Sequence, residues 1–191
     1  CMQCHGEQGI SVNPMIPNLA GQNKLYLVKQ LKEFQAGPLS QGRPSGPAER
    51  HSRIMKGQVK NLENNDLWNL ASFFSELPAC PVNGNKVNGN KPEREIAERK
   101  PPKSARQCVE CHGPQWRGTA TVVPQLGGQK RQYLLRQLYA FRLSPNHPNQ
   151  NKSPGQAKET RYHFLMSGIA KSLKKAELYE LAEYYAEQGC S

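Results

Sequence analysis

Four stretches of the chain repeat apolar side chains at the three- and four-residue spacing of an amphipathic helix. They predict helices over 23–36, 63–76, 130–143 and 174–188. Proline and glycine residues stand ahead of the first and third stretches and mark a turn before each helix. The pattern therefore predicts an all-α fold, with one pair of these helices in each half of the chain.

The second half of the chain repeats the first. A shift of 107 residues superimposes the segment IPNLAGQ at 16–22 on the segment VPQLGGQ at 123–129. After an insertion of four residues in the second half the shift becomes 111, and Met55 then falls on Met166. A repeat of this length indicates two fused copies of one domain and not a solenoid.

The segment between the copies has the composition of an exposed linker. The sequence VNGNK occurs there twice in succession, over residues 82–91, and a Pro-Pro pair closes the segment. Asn-Gly pairs favour turns, and the stretch contains few apolar residues. We therefore expect a first domain over 1–81, a linker over 82–100 and a second domain over 101–191.

Both domains are poor in apolar side chains. Hydrophobic residues make up 36% of the 191 residues, and the mean hydropathy is −0.78. Domains of about 90–100 residues with this composition have difficulty in building a core from side chains alone. A large apolar prosthetic group would fill the interior. No signal peptide and no apolar run of about 18 residues is visible, so no membrane-spanning helix is expected.

Two cysteine-histidine motifs indicate which group this is. Residues 1–5 read CMQCH and residues 108–112 read CVECH, the C-x-x-C-H attachment signature of c-type haem. Two thiols one helical turn apart add to the two vinyl groups of the porphyrin, and the histidine that follows gives its imidazole to the iron. The motifs predict two covalently bound haem c groups, with cofactor attachment at Cys1, Cys4, Cys108 and Cys111 and iron ligation by His5 and His112.

Two other uses of a C-x-x-C pair are less compatible with this sequence. Two such pairs can hold one structural zinc ion, but here they lie more than 100 residues apart and a histidine follows each of them. A single pair can be a thioredoxin-like redox centre, but the chain shows no βαβ pattern.

The sixth iron position separates an electron carrier from a catalyst or a gas binder. The chain has four methionines, and Met55 and Met166 are the two that superimpose under the repeat. Met2 lies inside the first motif, and Met15 has no counterpart in the second half. We expect Met55 and Met166 to be the sixth ligands of the two haem irons, although a methionine more often serves only to fill space in a hydrophobic core.

His51 and His163 are the alternative ligands for the sixth position, and bis-histidine ligation would lower both potentials. These two histidines do not superimpose on each other, because Tyr162 falls on His51. They are therefore expected near a haem edge or a propionate.

The sequence resembles the dihaem cytochrome c4 family. The resemblance is carried by CHG at 4–6, PNLAGQ at 17–22, YLVKQL at 26–31, a methionine seven residues before Leu62, and the equivalent positions of the second half. It implies two class I cytochrome c domains related by a pseudo-twofold axis, with the haems facing across the interface. It also implies periplasmic electron transfer in a respiratory chain, commonly toward a membrane-bound terminal oxidase.

Further residue roles follow from the same resemblance. In similar cytochromes a proline carbonyl accepts the Nδ1–H of the proximal histidine, which fixes the ring and raises its basicity. Pro17 and Pro124 would take this role here. The aromatic side chains are expected to pack against haem or in the core and not to relay electrons; they are Tyr26, Trp68, Trp116 and Tyr133.

The function predicted is a soluble electron shuttle between a respiratory donor and a terminal oxidase or reductase, without catalytic residues. The alternative is a cytochrome subunit or dedicated electron acceptor of an enzyme that oxidises sulfur compounds. A dihaem peroxidase is a third hypothesis, but it needs an open iron and conflicts with two methionine ligands.

The net charge of +11 bears on the partners. It favours an acidic redox protein or peripheral association with an anionic membrane face. Nucleic acid is not expected, because the basic residues are scattered apart from a modest cluster over 91–106.

Two cysteines remain outside the motifs. Cys80 and Cys190 lie at corresponding places, shortly after the last helix of each copy. Haem attachment of this type implies an extracytoplasmic site, where thiol pairs oxidise, so we expect a Cys80–Cys190 disulfide. Two unpaired thiols or an intermolecular bridge are the alternatives.

Overall fold

Both halves of the chain build the same succession of elements: helix, helix, short strand, helix, helix. The structure, a computed structural model, describes residues 1–36, 50–79, 101–113, 122–144 and 159–188. The elements of the first half are α1 (Met2–His5), α2 (Lys24–Ala36), β1 (Arg50–Ser52), α3 (Arg53–Val59) and α4 (Asn64–Glu76). Those of the second half, after a 3₁₀ turn (Lys103–Ala105), are α5 (Arg106–His112), α6 (Arg131–Arg142), β2 (Glu159–Arg161), α7 (Phe164–Ser172) and α8 (Lys175–Glu187).

The four helices predicted from the apolar pattern are α2, α4, α6 and α8, and each begins and ends within one residue of the prediction. The start of α4 is fixed by Asp66, whose carboxylate accepts a hydrogen bond of 2.9 Å from the backbone N–H of Glu63. Glu177 makes the equivalent contact of 2.6 Å with the N–H of Lys174 at the start of α8. Carboxylates at a helix N-terminus satisfy unpaired N–H groups and complement the helix dipole.

Each half has its own core between its long helices. In the first half α2 packs on α4, and the buried cluster contains Leu27, Val28, Ala71 and Phe74. In the second half α6 packs on α8 in the same way. The 3₁₀ turn before α5 joins that second core, where Ala105 is fully buried against α8. The helix pairs therefore form two separate small cores, as two fused domains require.

The two halves are joined by a short antiparallel strand pair. Arg50 lies opposite Arg161, and Ser52 lies opposite Glu159. Arg50 and Arg161 are also equivalent positions of the repeat, so this pair maps onto itself when the halves are exchanged. A pseudo-twofold axis therefore passes through the Arg50–Arg161 pair.

Amide side chains form a second set of contacts between the halves. The backbone N–H of Asn18 donates to Oε1 of Gln129 at 2.8 Å, and Nε2 of Gln129 donates to the carbonyl of Asn18 at 2.9 Å. The backbone N–H of Gln125 and the side chain of Gln22 repeat this exchange at 2.8 and 2.9 Å. The second set is the first set rotated about the pseudo-twofold axis.

The prediction of an all-α fold with two domains related by a pseudo-twofold axis is confirmed. The strands β1 and β2 were not predicted, and at three residues each they do not change the fold class. Among the described residues, no helix is both long enough and apolar enough to cross a membrane.

Candidate haem-binding sites

The first cysteine-histidine motif folds as a single helical turn. The backbone N–H groups of Cys4 and His5 donate to the carbonyl of Cys1 at 3.1 and 2.8 Å. Residues three apart in a helical turn lie on one side, so this turn brings the thiols of Cys1 and Cys4 to the same face. Both cysteines are exposed, whereas His5 is buried.

The second motif forms the last turn of α5. His112 is buried, Cys111 is exposed and Cys108 is half-buried. Cys108 packs against the core of the second half, and burial raises the pKa of its thiol. The two motifs thus have the same local geometry, with a more enclosed first cysteine in the second half.

Both histidine rings are held by a proline carbonyl. Nδ1 of His5 lies 2.8 Å from the carbonyl oxygen of Pro17, and Nδ1 of His112 lies 2.9 Å from that of Pro124. A carbonyl oxygen only accepts, so Nδ1 carries the proton and Nε2 keeps its lone pair. The predicted hydrogen bonds from the histidines to Pro17 and Pro124 are confirmed.

The surroundings keep both imidazoles neutral. Burial lowers the pKa of His5 and of His112, and the proline carbonyls raise it by a smaller amount. The positive charges of Arg50 near His5 and of Arg161 near His112 lower the pKa further. A neutral imidazole with a free Nε2 is the form that ligates a metal.

A glycine follows each histidine because the backbone turns there into the left-handed region. Gly6 has φ +83° and Gly113 has φ +81°. A side chain at Gly6 would place its Cβ 2.1 Å from the carbonyl oxygen of Ile10, which no residue other than glycine avoids. This turn brings the chain back from the motif toward the carbonyl that holds His5.

The two methionines superimposed by the repeat lie in the first turns of α3 and α7. Both side chains are half-buried. The N–H of Met55 lies 3.4 Å from Oγ of Ser52, and the N–H of Met166 lies 3.5 Å from Nδ1 of His163. The residue that precedes each short helix therefore caps it, with serine in one half and histidine in the other.

The alternative ligands have different positions in the structure. Nδ1 of His163 faces the backbone N–H of Met166, which is a capping contact. The side chain of His51, Trp116 and the two cysteines Cys80 and Cys190 lie outside the described residues.

The described residues fit a porphyrin better than a zinc ion. The four motif cysteines are not joined in disulfides, and no three potential metal-ligating side chains of the described part of the chain come together. Large apolar side chains next to the methionines are exposed: Ile54 at 74%, Phe164 at 78% and Leu165 at 57%. This exposed apolar surface beside Met55 and Met166 is compatible with an apolar group bound there.

Two arginines that the sequence analysis did not single out lie beside these sites. Arg50 and Arg161 are buried, and they occupy equivalent positions under the same 111-residue shift that pairs the methionines. Their alignment under this shift could have indicated that the two arginines share a role. Their burial could not be expected, because arginine is mostly exposed in folded proteins.

The aromatic residues have more than a packing role. The hydroxyls of Tyr26 and Tyr133 accept hydrogen bonds from Arg161 and Arg50 of the opposite half, at 2.7 and 2.8 Å. Trp68 packs against the core of the first half, as predicted.

Comparison with known proteins identifies the family. The family model for cytochrome c matches residues 1–78. Cytochrome c4 of Stutzerimonas stutzeri is 30% identical to this chain over 96% of this chain and 82% of the relative. The chain belongs to the cytochrome c4 family. A solved structure of cytochrome c4 from Acidithiobacillus ferrooxidans superimposes with a TM-score of 0.66 at 27% identity, covering 98% of each chain.

A second kind of relative is also found. The thiosulfate dehydrogenase electron acceptor of Stutzerimonas stutzeri strain A1501 is 29% identical over 99% of this chain and 79% of the relative. As a member of the cytochrome c4 family the present chain is an electron carrier and not an enzyme, and it binds haem c covalently. The predictions of the family, the cofactor and the general function are thereby confirmed.

Proposed function

We propose that this member of the cytochrome c4 family is a dihaem electron shuttle with one haem in each half. The proposal rests on two buried histidines, His5 and His112, at equivalent positions of the repeat. In each of them Nδ1 is hydrogen-bonded to a proline carbonyl. Cys1 and Cys4 attach the first haem, and Cys108 and Cys111 attach the second.

The residues of each site have separate tasks in electron transfer. When bound, the haem iron supplies a one-electron couple. His5 and His112 would hold the iron through Nε2, and the hydrogen bonds to the proline carbonyls fix the orientation of the two rings. Met55 and Met166 would each give a thioether to the iron and so exclude exogenous ligands. An iron held by protein ligands alone would favour electron transfer over substrate chemistry.

The domains of this shuttle comprise residues 1–81 and 101–191, with a linker at 82–100. The separate cores of the two halves support this division. The linker lies outside the described residues.

The shuttle is periplasmic and works between a respiratory donor and a membrane-bound terminal oxidase. Haem attachment through C-x-x-C-H motifs and the cytochrome c4 relatives support this placement. The net charge of +11 supports an acidic acceptor or an anionic membrane face.

A second candidate is that the chain accepts electrons from an enzyme that oxidises thiosulfate. The relative named as a thiosulfate dehydrogenase electron acceptor favours this hypothesis. Reduction of the purified protein by a thiosulfate dehydrogenase, compared with reduction by a quinol-oxidising complex, distinguishes the two donors by rate.

Haem counting tests the proposal. The protein expressed with a cytochrome c maturation system should carry two covalent haems per chain, by intact mass and by the alkaline pyridine spectrum. Cys1→Ala/Cys4→Ala and Cys108→Ala/Cys111→Ala should each lose one haem, because both thioether bonds of one site are removed. The control Cys80→Ala/Cys190→Ala should retain both. Retention of two covalent haems by either motif variant would contradict the assignment.

The remaining two cysteines, Cys80 and Cys190, form an intramolecular disulfide in this proposal. Their corresponding places in the repeat and the oxidising compartment support it. Cys80 and Cys190 are 110 residues apart in the sequence. In the loop-entropy model, a disulfide that closes a loop of this length stabilises the folded protein by up to ~4–5 kcal/mol. Thiol titration of the unfolded, non-reduced protein should find no reactive thiol; two reactive thiols per chain would contradict the bond.

A further inference from the structure

Two positive charges lie side by side where the halves meet. Arg50 and Arg161 are opposite each other in the β1–β2 pair, and directly opposite residues of an antiparallel pair share one face. Their exposed fractions are only 6% and 9%. A buried guanidinium group is costly unless hydrogen bonds and other contacts compensate its lost hydration.

Each arginine is held in its own half by two neutral groups. Nη1 of Arg50 donates to Oε1 of Gln30 at 2.6 Å, and its guanidinium lies 4.6 Å from the ring centre of Phe34. Arg161 repeats the arrangement on Gln137 and on Phe141, whose ring centre is 4.5 Å away. Cation–π contact and an amide acceptor fix the direction of each guanidinium.

The other edge of each guanidinium crosses to the opposite half. Nη2 of Arg50 donates to the hydroxyl of Tyr133 at 2.8 Å, and Nη2 of Arg161 donates to the hydroxyl of Tyr26 at 2.7 Å. The two bonds are copies of each other under the pseudo-twofold axis. Each arginine therefore ties the long helix of its own half to the long helix of the other.

We infer that the reciprocal pairs Arg50–Tyr133 and Arg161–Tyr26 are positioning contacts that fix the two haem sites in one relative geometry. This inference rests on the proposed haem sites at His5 and His112. A fixed geometry matters because the rate of electron transfer between two sites depends on their separation and orientation.

Tyrosine-to-phenylalanine variants test the inference with little change in shape. In Tyr26→Phe and Tyr133→Phe one hydrogen bond to a charged donor is lost, which should shift the equilibrium between docked and undocked halves by about tenfold or more. The double variant should shift it by about a hundredfold if the two bonds act independently. Tyr179→Phe is the matched control, because Tyr179 is exposed and packs edge-to-face on Tyr139 inside the second half.

Two measurements on the haem-loaded protein separate the outcomes. We expect the double variant to show a slower electron exchange between the haems and faster rotational tumbling of the halves in ¹⁵N relaxation. Circular dichroism and haem content should match those of the control. Wild-type exchange rates and tumbling in the double variant would overturn the inference. A haem content below two in the unmodified protein would instead refute the proposed function, while the tumbling measurement still tests the contacts.

Discussion

Replacing Met166 by alanine is expected to lower the reduction potential of the second haem and to open its iron to carbon monoxide. A thioether ligand favours reduced iron, so its loss stabilises the oxidised state. We expect a fall on the order of 0.1 V or more, a fraction of the roughly 0.8 V range that axial ligands span. Met55→Ala should produce the same change at the first haem. Spectra resolved for each haem during a redox titration, followed by carbon monoxide addition, measure both effects.

Met15→Ala is the matched control for these variants. Met15 has no counterpart in the repeat and is 39% exposed. Its backbone N–H donates to Oδ1 of Asn13 and its backbone carbonyl accepts from Arg136, and both bonds use atoms that an alanine keeps. Its replacement should leave both potentials and the closed state of both irons unchanged. Full carbon monoxide binding by the unmodified reduced protein at both sites would show that Met55 and Met166 are not the ligands.

Added salt is expected to slow the oxidation of the protein by a small anionic reagent and to speed its oxidation by a small cationic reagent. The net charge of +11 attracts an anionic oxidant such as hexacyanoferrate(III) and repels a cationic one such as tris(phenanthroline)cobalt(III). Raising the ionic strength from about 10 mM to about 200 mM shortens the screening length severalfold, so the first rate should fall by about tenfold. The second rate should rise.

Stopped-flow oxidation of the fully reduced protein measures both rates. The cationic reagent is the internal control, because a general effect of salt on the protein would move both rates in one direction. If the two oxidation rates change equally with ionic strength, the surface near the haems does not carry the positive field that the net charge suggests. The same experiment then predicts how strongly salt weakens association with an acidic protein partner.

The sequence predicted the parts of the structure that have a periodic or chemical signature. The ends of α2, α4, α6 and α8 follow from apolar spacing, because each helix buries one side in the core of its own half. The hydrogen bonds of His5 and His112 to proline carbonyls follow from the family resemblance, and the structure shows both.

The interface between the halves could not be predicted in the same way. Strands of three residues, such as Arg50–Ser52, are too short to show an alternating pattern. Arg50 and Arg161 are charged, so the sequence predicts that they lie at the surface. In the structure they are buried, and cation–π contacts and amide acceptors compensate the lost hydration. Asn18 and Gln129 are ordinary turn and loop residues by type, and only the folded structure shows that they bond to each other.

The amide exchange between the halves also has an evolutionary meaning. Asn18 directly follows Pro17, and Gln125 directly follows Pro124, so the interface begins one residue from each carbonyl that holds a histidine. Each half makes the same hydrogen bonds to the other half that it receives from it. This is the isologous arrangement of a symmetric homodimer. A single-domain ancestor with these residues would already dimerise through its haem-bearing faces. Gene fusion would then have replaced a concentration-dependent association by an intramolecular one, without any new contact.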